Sequence, residues 1–171
     1  MQNVYRDGRF DPDVWSLLED DAPLPEHGHA LLTKQRWLSD RDAVQASGVS
    51  IGLVLYAGQD LDGLVEDLAL FRVIALDFPK FADGRSYSTA RLLREDHEFQ
   101  GELRAIGDVL IDQIPLMLRC GFDTFAISHA PTRLSLENGH LPDVKLYTQP
   151  IADRREVPAG TRPWLRVPEG A

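Results

Sequence analysis

Between residues 30 and 128, short apolar runs of strand character alternate with segments of helical period, and this alternation constrains the fold most. Ala30-Leu-Leu-Thr33 reads as a short strand. Ser39 is a plausible N-cap for a helix through about Ala46, closed by Gly48. Val49 to Tyr56 is β-rich. Asp60 then caps a helix that carries Leu61, Leu64, Val65 and Leu68 on one face. Phe71 to Leu76 is a continuous apolar run, as a strand buried on both faces of a parallel sheet requires. A loop leads to a helix from about Ser86 to His97, and Gly101 opens the strand Glu102-Leu-Arg-Ala-Ile106. Asp108 caps the next helix, which ends at Cys120-Gly121, and Asp123-Thr-Phe-Ala-Ile127 is a further strand.

Such an order is solved by parallel βαβ units with right-handed crossovers. The expected fold class is therefore α/β. Its form is a parallel sheet of about five strands with helices on both faces, an open three-layer sheet. An incomplete βα barrel shares the pattern and stands as the alternative. The chain of 171 residues is far shorter than the ~250 typical of a full barrel, which favours the open sheet. Around this domain, 29–149, lie a turn-rich segment, 1–28, and a Pro-rich tail, 150–171. Asp7-Gly8 suits a tight hairpin turn. Val144 to Thr148 reads as a last strand. The tail reads as extended, and its Trp164 suits packing on the domain or, in a homodimer, anchoring on a second chain.

Composition narrows the function. A net charge of −9 argues against nonspecific nucleic-acid binding, which needs an excess of Lys and Arg. Residues 1–26 hold seven carboxylates against Arg6 and Arg9, a solvated acidic face or a surface for a basic partner. Apolar runs are too short to cross a bilayer, and the start lacks a basic region followed by an apolar run. One cysteine, Cys120, suits a reducing compartment and leaves an iron–sulfur cluster without its thiolates. A soluble, cytoplasmic chain is expected.

In parallel sheets ligands bind beyond the carboxyl ends of the strands. Three loops qualify. In the first, Asp77 ends a buried strand and Lys80 and Arg85 follow. Asp83-Gly84 permits a turn, and Ser86 and Ser88 sit where a helix begins. Two cations beside free helix amides make an anion pocket, with Tyr87 and Arg91 (and Arg94) on the helix that leaves it. The plainer reading has Asp83 or Ser86 capping that helix and Arg85 pairing with Asp77. In the second loop, Asp108 is an N-cap, with Asp112 and Gln113 close behind. Asp77 and Asp108, at the ends of adjacent strands, could instead share a proton as acid and base or hold a metal. The third loop offers His129 and Arg133. No dinucleotide fingerprint, phosphate loop, zinc-protease helix or nucleophile elbow occurs, so neither a metal site nor a cofactor site is evident.

The segments Leu76-Asp-Phe-Pro-Lys-Phe-Ala-Asp-Gly-Arg-Ser-Tyr-Ser-Thr-Ala-Arg-Leu-Leu-Arg-Glu95 and Gly101-Glu-Leu-Arg-Ala-Ile-Gly-Asp-Val-Leu-Ile-Asp-Gln113 resemble the bacterial "domain of unknown function 934" proteins, as does Arg119-Cys-Gly-Phe-Asp-Thr-Phe125. The resemblance implies a pathway, sulfite reduction, since members are commonly encoded beside the sulfite reductase hemoprotein and labelled as oxidoreductases. The motif residues it carries over are Phe78, Pro79, Lys80, Phe81, Asp83, Gly84, Arg85, Tyr87, Ser88, Arg91, Arg94, Arg104, Gly107, Asp108, Asp112 and Gln113; of these, Lys80, Asp83, Gly84, Arg85, Tyr87, Ser88, Arg91, Arg104 and Asp112, with Ser86, are the candidate ligand- or partner-binding residues. Pro115 departs from the family and should kink the helix over 108–120. Two functions follow as expectations. One is an accessory protein docking on sulfite reductase or its electron donor. The other is a small-ligand enzyme with an anion at Lys80, Arg85 and Ser88, in one variant a flavin phosphate at the Ser86 helix start.

Overall fold

Eight strands form a single sheet in the order β2-β1-β8-β7-β6-β5-β4-β3 in the computed structural model, which describes residues 3–142, 156–159 and 162–168. Strands β1 (Asn3–Arg6) and β2 (Arg9–Pro12) make a hairpin. Its turn uses Asp7 (φ 47°) and Gly8 (φ 83°), both left-handed as a tight two-residue turn demands. Strands β3 (Ser16–Leu17), β4 (His29–Thr33), β5 (Ser50–Leu55), β6 (Val73–Phe78), β7 (Glu102–Gly107) and β8 (Thr124–Phe125) run parallel. The hairpin joins antiparallel to β8, with Tyr5 opposite Phe125.

This arrangement corrects the open three-layer sheet of about five parallel strands. Strands β3 to β8 lie side by side in chain order, with no reversal of direction across the sheet. Right-handed crossovers in such a series place every connecting helix on one face. The sheet is mixed and curls into a half-barrel, the incomplete-barrel alternative. Burial agrees. Ala30, Leu32, Leu53, Leu55, Ile74, Leu76, Phe78, Leu103 and Phe125 form the main core with helical Trp37, Val44, Ala90, Leu93, Ile114 and Met117. The inner face carries only a small apolar patch, Leu31, Val54, Val73 and Ala75, covered by Trp15 and Ile106.

Local chemistry moves several element boundaries. Helix α1 spans Lys34–Ala46 and starts at Thr33, whose side chain accepts from the Arg36 amide, so Ser39 is not its cap. The next connection is a 3-10 helix, Val65–Leu70, with Leu61, Leu64 and Leu68 buried and Val65 exposed. Helix α2 (Arg85–Arg91) continues as one π turn, Leu92–Asp96. Helix α3 is short, Ile114–Arg119, and Pro115 lies in its first turn, where no amide donor is needed. The expected kink therefore does not arise, and Asp108 does not cap a helix. Helix α4 (Ala130–Glu137) follows β8 and is capped by the His129 ring, which accepts from the Thr132 amide.

Of the tail, Glu156–Ala159 and Arg162–Pro168 form an antiparallel hairpin rather than a single extended run. The expected strand 144–148 and the packing of the Trp164 side chain lie outside the described residues. No helix among them is long and apolar enough to cross a membrane.

Candidate functional site

Alternation along β6 buries Ile74, Leu76 and Phe78 in the main core and turns Val73, Ala75 and Asp77 to the inner face. Asp77 thus sits half-buried at the carboxyl end of a central strand. No hydrogen bond or ion pair reaches its carboxyl group among the described residues. Burial, and then the charge of Asp83, push its pKa above the ordinary Asp value. The close approach of β7 to this strand end depends on Gly107, which faces Phe78 across the ladder at φ 91°. A Cβ there would stand 2.5 Å from the Phe78 carbonyl oxygen and 2.7 Å from Asp77 Oδ1.

The loop beyond β6 closes on itself. The Asp83 amide donates to the Lys80 carbonyl at 2.9 Å. The Asp83 carboxylate accepts from the Arg85 amide at 3.2 Å, from Arg85 Nε at 2.9 Å and from Nη2 at 2.6 Å. These bonds hold its pKa down at about 2. Arg85 therefore pairs with Asp83, not Asp77, and its guanidinium lies over Gly58 in the loop after β5. Gly84 stands at the N-cap position, and buried Ser86 donates to the Asp77 carbonyl at 2.6 Å, tying the helix start to the strand end. On α2, Ser88 is exposed and Arg91 forks onto Glu95 at 3.0 and 3.2 Å. Arg94 binds the carbonyls of Phe99, Gly101 and Gly121 together with Asp123, a structural brace. Lys80 is the one cation of the loop without a side-chain partner among the described residues.

Tyr87 meets Phe78 edge-on at 5.1 Å. Burial, helped by Cys120 and Asp112 nearby, pushes its phenol up to about 12 against an opposing hydrogen bond with Gln113. Gln113 is buried and joins two loops: its Oε1 accepts from the Leu110 amide at 2.9 Å, and its Nε2 donates to the Phe81 carbonyl at 3.3 Å. Asp112 is exposed. Asp108 donates its amide to the Phe78 carbonyl at 2.7 Å, and the carboxylate that raises Asp77 is Asp83. The expected Asp77–Asp108 pair is thus not what perturbs Asp77. Cys120 is buried, and burial pushes its thiol up, away from nucleophilic use.

Arg104 is not part of this loop cluster. It lies on the inner face of β7, with its side chain only 3% exposed. Its Nη1 donates to both oxygens of Asp13 at 2.8 and 2.7 Å, and its Nε and Nη2 donate to Glu102 Oε1 at 2.9 and 2.7 Å. Thr124 donates to the same Glu102 oxygen at 2.6 Å, and Arg6 closes the cluster. Sequence reasoning missed Asp13 and Glu102. The available signal was Glu102-Leu-Arg104 itself, two charges on one face of a strand in a buried sheet.

At the rim, Phe81 is 54% and Tyr56 43% exposed. A shallow groove of about 380 Å³ beside Arg85 is lined by Lys34, Gln35, Leu38, Gly58, Gln59 and Asp60, and its Lys34 and Asp60 neutralise each other. Among the described residues no group of three or more His, Cys, Asp or Glu could hold a metal ion. The family model described as "Bacterial protein of unknown function (DUF934)" matches residues 52–157, more than half of the chain. No curated protein matches it.

Proposed function

The chain belongs to the DUF934 family of bacterial proteins of unknown function, and from that premise we propose that it is an accessory protein of assimilatory sulfite reduction. The 77–88 loop would dock on sulfite reductase or its electron donor. The pathway is supported by the resemblance of residues 76–95 and 101–113 to proteins encoded beside that reductase. One observation carries the docking role. The loop neutralises its own charge through Asp83 and Arg85, and leaves outward an exposed aromatic, Phe81, beside a cation, Lys80, that is unpaired among the described residues. An aromatic anchor flanked by a charge is the chemistry of a protein contact. A ligand cage for an anion would need free cations and free amides, but Asp83 already occupies the Arg85 amide. For the same reason the residues present do not fit a flavin phosphate at this helix start.

Association is tested by mixing the full chain with the sulfite reductase hemoprotein and its electron donor at low salt and measuring binding by interferometry. Phe81→Ala is expected to weaken binding by roughly tenfold or more, the scale of an anchor residue. Lys80→Glu should weaken it further at low salt than at high salt. A wild-type chain that binds neither protein at low salt overturns the reading.

A second reading rests on Asp77. A half-buried carboxyl without a partner among the described residues, raised in pKa at the carboxyl end of a parallel strand, is suited to acid/base work on a small ligand. Titration with sulfite, phosphate and flavin, followed by the chemical shifts of Asp77 and Gly107, tests it. Shifts that persist in Asp77→Asn, or none at all, defeat it.

A further inference from the structure

We propose that the inner face of the half-barrel is a peptide-binding groove, held in this structure by the chain's own Asp13-Val-Trp15. The partner it fits is an extended segment with a carboxylate two residues ahead of an aromatic ring. This goes beyond the docking role of the 77–88 loop, which begins at Asp77, two residues past Ala75 on the same strand.

The groove has two chemically distinct ends. At one, Arg104 presents Nη1 to both oxygens of the Asp13 carboxylate, on a base built from Glu102 and Thr124. At the other, Leu31, Val54, Val73 and Ala75 form an apolar floor on which Trp15 packs. Val14, between them, is 60% exposed, and the Trp15 amide donates back to Asp13 Oδ1 at 3.0 Å, which fixes the two reading side chains relative to each other. Asp13 and Trp15 therefore read the groove, and Val14 does not.

The occupant is lightly built. Among the described residues its backbone pairs with the sheet through the two-residue β3 and the Leu18 amide, which donates to the Leu31 carbonyl. Side chains add to this: Arg36 donates to the carbonyls of Glu19 and Ala22, Thr33 donates to Asp20, and Leu18 and Leu24 pack against the main core. The following loop, with Pro23, Pro25 and Gly28 (φ 110°), links this strap to β4. A short edge strand held mostly by side chains belongs to the low-stability end of a fold and opens before the core does. Once open, it leaves a cation and an apolar floor at the spacing of an acidic–aromatic segment.

The test uses the full chain with its strap weakened by Asp13→Ala and Trp15→Ala. A fluorescent peptide copying residues 10–18 is titrated and its anisotropy followed. Because the tethered strap competes at an effective concentration on the millimolar scale, the weakened chain should bind the peptide at least ~10-fold more tightly than wild type. Adding Arg104→Ala, or changing the Asp or the Trp of the peptide to Ala, should remove that gain. Equal or absent binding overturns the proposal. So does a weakened chain that dimerises by exchanging its N-terminal segment, since the occupant is then a second copy. Hydrogen exchange on the unaltered chain supplies a readout independent of any variant. The Leu18 amide should exchange roughly 100-fold or more faster than that of Leu76, as a locally opening segment does. Equal rates would mean that the strap opens only with the whole fold, and would overturn the groove.

Discussion

Replacing Arg104 by Met, a side chain of similar length without charge, isolates the electrostatics of the inner face. The guanidinium makes four hydrogen bonds, two to Asp13 and two to Glu102, with side chains 3%, 9% and 16% exposed respectively. Met fills much of the volume, so the cavity term is small. What remains is the cost of leaving two carboxylates facing each other out of water, with Arg6 compensating Glu102 alone. Breaking a buried pair in this way costs about 3–5 kcal/mol. For a chain of this size each kcal/mol moves the melting temperature by roughly 2–4 °C, so a fall of about 6–20 °C is expected. Calorimetry or urea denaturation reads it directly. The companion triple change, Arg104→Met with Asp13→Ala and Glu102→Leu, should recover most of the loss, because it removes the stranded charges along with the pair. A loss below about 1 kcal/mol for Arg104→Met, the value of an exposed ion pair, would refute the claim that this cluster is desolvated.

Three further outcomes are expected. Gly107→Ala puts a Cβ against the Phe78 carbonyl oxygen at a φ of 91°, and should cost about 2 kcal/mol or more in urea unfolding, since backbone cannot step aside cheaply. Asp77 holds its proton to higher pH in the folded chain than in the unfolded one, so its contribution to stability is present below the ordinary Asp value and lost as pH rises through the raised one. Asp77→Asn should therefore gain stability relative to wild type across that window, and a pH-independent difference would contradict the shift. Asp83 has the opposite sign: its contribution is present above the ordinary Asp value and fades as pH falls to about 2. Arg85→Ala should return its carboxyl titration, followed by NMR, toward the ordinary value.

Much of the fold was legible from local pattern. The apolar run before Asp77 becomes β6, the Asp7-Gly8 turn makes its hairpin, and Leu61, Leu64 and Leu68 are buried as their spacing implies. Boundaries failed where two local signals competed. Asp108 and Pro115 both read as helix features, but a helix admits proline most readily in its first turn, so the helix waits until Ile114. Thr33 displaced Ser39 as a cap because its side chain meets the amide of Arg36, a geometry that composition does not reveal.

The loop from Asp77 to Ser88 was legible as a charged, glycine-hinged candidate, since charge and hinge depend on neighbours in the chain. Which charges remain available was not, because Asp83, not Asp77, takes Arg85, and the choice turns on side-chain directions at a helix start. Strand order was equally hidden. Alternating strands and helices are compatible with a doubly covered sheet and with a half-barrel, and only the placing of successive strands side by side decides between them. The pairing of Asp13 with Arg104 joins residues 91 positions apart, beyond any sequence period. Sequence determined the elements and the charged loop, because local hydrogen bonding and apolar spacing act over a few residues. Tertiary structure decided the inner face, its buried arginine and its occupant, because long-range burial alone sets which distant groups share a space without water.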